Sequence, residues 1–183
     1  MLVSKDDCIL LVIDVQECLN PVMMHSREVI KYSLNLIRIA KTLDIPFIVT
    51  EQAPEKLGNA IIDIRQEAEE SNIVSKNSFC VTENDDFMQK LTDSTKKQVI
   101  ITGIELHICV LQSAVELKKL GFDVFVVIDA CSSRKKLDFD AACNRMIADG
   151  INMISYEMAV FEWLKTSDNH NFKEISANFI DRN

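Results

Sequence analysis

Residues Cys8-Ile9-Leu10-Leu11-Val12-Ile13 form six consecutive apolar positions with no polar face. A strand with one solvated side alternates polar and apolar residues, so an unbroken run of this length belongs to a strand covered on both sides. That is the condition of a central strand in a parallel sheet flanked by helices. Five shorter runs of the same character follow, which predicts strands over residues 8–15, 47–50, 73–75, 99–102, 123–128 and 152–155. Between them, apolar residues recur three or four apart over residues 27–43, 60–70, 85–93, 110–120 and 138–149, the period of crossover helices. Two terminal helices are predicted over 157–166 and 171–180. Gly121 and Gly150 stand where left-handed helix stops are wanted. The alternation predicts an α/β protein, a three-layer α/β/α sandwich built on a six-stranded parallel sheet of order 3-2-1-4-5-6. With four Gly and three Pro, no linker interrupts it, and residues 1–183 are expected to form one domain.

The formal charge of −8 repels phosphate backbones, and no Lys/Arg-rich block offsets it, so nucleic acid is not an expected partner. No apolar stretch approaches ~18 residues and the N-terminus lacks a signal-peptide pattern, so no membrane association and a cytoplasmic location are expected. Six cysteines without Cys-x-x-Cys spacing are expected to be reduced thiols, most of them small core residues.

Ligands of open α/β sheets bind at the carboxyl ends of strands where the strand order reverses, here between strands one and four. Strand one ends in Asp14, a carboxylate following six mostly aliphatic residues, and buried Asp is rare unless paired or functional. Strand four leads to Cys109, which opens a helix-type run. A thiol in the first turn of a helix is a candidate nucleophile, and the macrodipole would lower its pKa from about 8.5 towards roughly 3.5–7.5. Lys76, ending strand three, could bring an ammonium to the same crevice. Each has an ordinary structural explanation alone. Their joint placement at three strand ends favours a base, a cation and a thiol that act together.

The segments Leu11-Val12-Ile13-Asp14-Val15-Gln16, Val74-Ser75-Lys76-Asn77-Ser78-Phe79, Thr102-Gly103-Ile104-Glu105-Leu106-His107-Ile108-Cys109-Val110 and Asp129-Ala130-Cys131-Ser132-Ser133-Arg134 resemble the isochorismatase-like cysteine hydrolases, in the family's order. The resemblance implies a catalytic triad of Asp14, Lys76 and Cys109. It also implies a non-proline cis peptide at Ile104-Glu105 and an oxyanion hole from the backbone N–H groups of Glu105 and Cys109. The implied reaction is hydrolysis of a small amide or related acyl compound through a thioester, by a homo-oligomer of two or more copies.

Nicotinamidases of this superfamily carry a metal site just after strand two. This chain has Thr50-Glu51-Gln52-Ala53-Pro54-Glu55-Lys56-Leu57-Gly58 there, and its histidines, 25, 107 and 170, show no ligand spacing, so neither a metal nor another cofactor is expected. The same stretch resembles the isochorismatase domain-containing proteins, which would put Glu51 and Gln52 at the mouth of the crevice. Gln16, Gln52 and Arg134 are candidate contacts for a small-molecule substrate, Arg134 through a bidentate grip on a carboxylate. His107 invites a Cys–His dyad that the family pattern does not use. Phe79, Phe87, Phe161 and Trp163 could line a pocket, an oligomer contact or the core. Two other functions stay open: hydrolysis of an isochorismate-like enol ether with Cys109 dispensable, and a non-catalytic scaffold.

Overall fold

The computed structural model describes residues 1–180. Six strands, β1 (Cys8–Ile13), β2 (Phe47–Gln52), β3 (Ile73–Lys76), β4 (Gln98–Ile104), β5 (Asp123–Ser132) and β6 (Asn152–Ile154), form one sheet in the order β3-β2-β1-β4-β5-β6. Every neighbouring pair is parallel. The helices are α1 (Ser26–Thr42), α2 (Pro54–Leu57), α3 (Ile62–Glu67), α4 (Asp85–Asp93), α5 (Leu111–Lys119), α6 (Lys136–Ala148), α7 (Tyr156–Leu164) and α8 (Phe172–Phe179).

The apolar run of β1 is divided by the pleat. Leu10 and Val12 enter a core shared with Leu36 and Ile37 of α1, Trp163 of α7 and Ile175 of α8. Ile9, Leu11 and Ile13 enter a second core with Phe87 of α4, Leu117 of α5 and Met146 of α6. Each fully buried aliphatic side chain contributes about 1.5–3 kcal/mol, so a polar substitution on either face of β1 would be felt. Phe87 and Trp163 are core residues, whereas Phe79 and Phe161 are exposed.

The strand ends differ from the sequence reading, and these differences build the site. β1 stops at Ile13, two residues before the expected end, because Asp14 takes a left-handed conformation with φ 53°. Asp reaches that region more readily than most residues because its short polar side chain can bond locally. β2 runs two residues further, to Gln52. β5 runs on to Ser132 through an irregularity: Ile101 pairs with Val126, whereas Gly103 pairs with Cys131, so two steps along β4 match five along β5. Gly103, at φ 119°, lies so close to β1 that a Cβ there would sit 2.0 Å from the Ile13 carbonyl oxygen. Only glycine allows β4 to approach β1 at this point. The helix expected over 60–70 is confined to α3, with a 3-10 turn at Glu70–Asn72. The helix expected from residue 110 is preceded by a π-helical turn, Leu106–Val110, and Cys109 lies inside that turn rather than at an α-helical start.

Candidate active site

Asp14, at the end of β1, is fully buried. Its Oδ1 accepts a 2.6 Å hydrogen bond from Thr50 Oγ1 on β2, and its Oδ2 receives Lys76 Nζ at 2.7 Å. The Lys76 side chain, from the end of β3, has no solvent exposure. Its ammonium also donates to Gln52 Oε1 at 2.8 Å and to the Ser78 carbonyl at 3.2 Å, so all three of its protons have acceptors. Buried ions persist only when paired and hydrogen-bonded in this way.

Gln16 and Gln52 brace this pair. Gln52 Nε2 donates to Asn77 O, and its backbone N–H donates to Gln16 Oε1. Gln16 Nε2 donates to the carbonyls of Gln52 and Gly58. Both side-chain amides, expected to contact substrate, are instead buried and occupied by the protein itself. Glu51, expected at the mouth of the crevice, is likewise buried within β2. Its Oε1 accepts from Ala60 N–H at 2.8 Å and Arg65 Nη1 at 2.6 Å. A short apolar run followed by Thr-Glu-Gln reads as a strand entering a loop, but the strand continues through these polar residues because partners from distant segments meet them.

Cys109 is 6% exposed. The Glu105 carbonyl accepts from Ile108 N–H at 3.0 Å and Val110 N–H at 3.3 Å, passing over the N–H of Cys109 that lies between them in sequence. Burial, chiefly, and then the Asp14 carboxylate push the Cys109 thiol up to about 12, against the opposing charge of Lys76. This reverses the expectation of a thiolate stabilised by a helix dipole. The thiol is desolvated and faces an anion, and in this environment the neutral form wins. Alkylation of Cys109 by iodoacetamide, followed by peptide mass, should therefore keep accelerating from pH 8 through pH 10. A plateau below pH 8 would contradict it.

The peptide bond between Ile104 and Glu105 is cis. The Glu105 carboxylate accepts from Arg134 N–H at 3.1 Å and from Arg134 Nε at 3.0 and 3.1 Å. Arg134, expected to grip a substrate carboxylate, thus directs that edge of its guanidinium to a carboxylate of its own chain. His107 Nδ1 shares a 2.9 Å hydrogen bond with Ser133 Oγ, and its Nε2 lies 3.9 Å from Asp138 Oδ2, so both ring nitrogens face groups other than Cys109. Sequence reasoning missed Thr50 and Ser133. Thr50 carried the same signal as Asp14, a polar residue closing an apolar run, whereas Ser133 carried only its place in the resembling segment at residues 129–134. A cavity of about 580 Å³ lies beside the site, lined by Ser78, Phe79, Cys80, His107, Leu111 and Gln112 among others. Ser78 accepts from Lys76, and His107 and Leu111 stand two residues to either side of Cys109. Among the described residues no group of three or more His, Cys, Asp or Glu side chains is placed to hold a metal ion.

The sequence model of the isochorismatase domain matches residues 8–158, which spans the sheet and all three side chains of the buried site. The chain belongs to the isochorismatase family. Its fold is that of the family's hydrolases. Mouse isochorismatase domain-containing protein 2A is 31% identical over 94% of this chain and 82% of its own length. Among solved structures, the MAR1 ribonuclease of Caenorhabditis elegans superposes with a TM-score of 0.90 at 32% identity, covering 99% of this chain and 95% of that one. YcaC of Pseudomonas aeruginosa, solved with hexane-2,5-diol and covalent acrylamide, superposes with a TM-score of 0.91 at 25% identity, covering 98% and 92%.

Proposed function

We propose that this isochorismatase-family protein is a cysteine hydrolase that cleaves a small amide or related acyl compound through a thioester on Cys109. The observation that carries the reading is the buried ion pair of Asp14 and Lys76 beside the Cys109 thiol, which feels the charge of both groups. A neutral, buried thiol needs a base at the moment of attack, and in this reading Asp14 takes the proton. As Sγ bonds to the carbonyl carbon, Asp14 receives the thiol proton, and Lys76 supplies the countercharge for the sulfur. The oxyanion that forms is met by the backbone N–H groups of Glu105 and Cys109. Collapse to the thioester expels the amine or alkoxide, which takes the proton back from Asp14. Asp14 then draws a proton from water, whose oxygen attacks the thioester, and the carboxylic acid and the free thiol are released. The reaction runs on these side chains alone, with no metal or cofactor.

Covalent acrylamide in the Pseudomonas protein is consistent with an electrophile-reactive site on this fold. The C. elegans relative is described as a ribonuclease. For this chain, a formal charge of −8 argues for small-molecule substrates over RNA. A homo-oligomer is part of the same reading, and the exposed Phe79 at the rim of the cavity would be covered in it.

Incubation with p-nitrophenyl acetate should give a burst of p-nitrophenolate matched to the protein concentration, and peptide mass should locate the acetyl group on Cys109. Turnover without acetyl on Cys109, or cleavage of a single-stranded oligoribonucleotide unaffected by blocking Cys109, would overturn the proposal.

A further inference from the structure

Two residues outside the proposed triad hold the entry to the turn that carries Cys109. On the upstream side, the Glu105 carboxylate is bound by the backbone N–H and the Nε of Arg134. On the same turn, His107 Nδ1 is bound to Ser133 Oγ. Ser133 is fully buried, and its segment is itself tied down from behind. The Ser133 carbonyl accepts from Met24 N–H and Ser132 Oγ accepts from His25 N–H, both at 3.3 Å. The extension of β5 to Ser132 through its irregular pairing with β4 delivers this segment to the turn.

We infer that Ser133 and Arg134 are positioning residues that clamp Glu105 and His107 and thereby aim the backbone N–H groups of Glu105 and Cys109 at a developing oxyanion. The inference rests on the hydrolase reading above. It arises because a π-helical turn with one carbonyl, Glu105 O, shared by two amides has little internal regularity to hold its donors in place. Misplacement of reacting groups by about 1 Å can cost on the order of 10²-fold in rate. The clamp touches neither the thiol nor its base, and Glu105 is the last of the charges that act on the thiol, so its main effect falls on reactions that build charge on a carbonyl oxygen.

That restriction supplies the test. Acetylation of Cys109 by p-nitrophenyl acetate passes through an oxyanion, whereas alkylation of the same sulfur by iodoacetamide is displacement at a saturated carbon and forms none. Arg134→Ala and Ser133→Ala should each slow acetylation roughly tenfold or more while alkylation changes less than about twofold and KM for the ester is little altered. Arg134→Lys, which keeps a cation and the backbone N–H, should recover part of the acetylation rate. The Arg134 side chain is half exposed, so its variants are expected to fold normally, and thermal melting checks this. Equal loss of both rates would mean that the segment positions the nucleophile, and unchanged acetylation would mean that it positions nothing. Either result overturns the inference. Failure of the wild-type protein to acetylate at Cys109 at all would instead remove the hydrolase reading beneath it.

Discussion

Replacing Cys109 by alanine is expected to lower the hydrolysis of p-nitrophenyl acetate by at least about 10³-fold relative to wild type, since in the proposed mechanism the variant keeps the oxyanion donors but loses the atom that forms the covalent bond. The fold should survive, because alanine fits within the volume that the thiol leaves and removes no buried hydrogen-bond donor that Asp14 cannot do without. Asp14 retains Thr50 and Lys76. Steady-state kinetics beside a melting curve would check both halves of the statement. An unchanged rate would exclude the thioester route. A chain that cleaves an enol ether with Asp14 alone would behave in that way and lose activity only when Asp14 is changed.

Asp14→Ala is expected to act on stability as strongly as on catalysis. Removing the carboxylate leaves the Lys76 ammonium at zero side-chain exposure with neutral acceptors only, Gln52 Oε1 and the Ser78 carbonyl. Breaking a buried pair from one side costs about 3–5 kcal/mol. For a domain of this size that corresponds to a fall in Tm of roughly 6–20 °C. Alanine in the left-handed conformation at φ 53° adds about 1 kcal/mol or more of backbone strain. The double variant Asp14→Ala/Lys76→Met should recover much of the Tm with no recovery of hydrolysis, which separates the charge left buried from a general loss of packing. A single variant that melts within a degree or two of wild type would show that the pair is not the buried ionic unit described.

Much of this was legible in the chain. The six apolar residues of β1 could be satisfied only by cover on both faces, and the alternation of strand and helix periods then pointed to a parallel sheet covered by helices. Asp14 stood out for the same reason: a carboxylate directly after that run had to be buried, and a buried carboxylate needs a partner. Cys109 and Lys76 stood at the ends of strands four and three, and the motif resemblance joined them with Asp14 into a triad and added the Ile104–Glu105 cis bond. The errors have one source. Nothing local in the sequence shows that Gln16, Gln52, Glu51 and the Nε edge of Arg134 are occupied by partners on other elements. The Arg134–Glu105 contact joins residues 29 apart, and Gln16 and Gln52 meet across 36.

The chain by itself determined which segments are strands and helices and the chemical types gathered at the strand ends, since periodicity and apolar length are local properties. Only the tertiary structure decided what each polar group meets and how dry it is. Sequence position alone would make Cys109 a dipole-activated thiolate. Burial against Asp14 favours the neutral thiol, because desolvation and the charge of a residue 95 positions away outweigh the direction of the backbone around it.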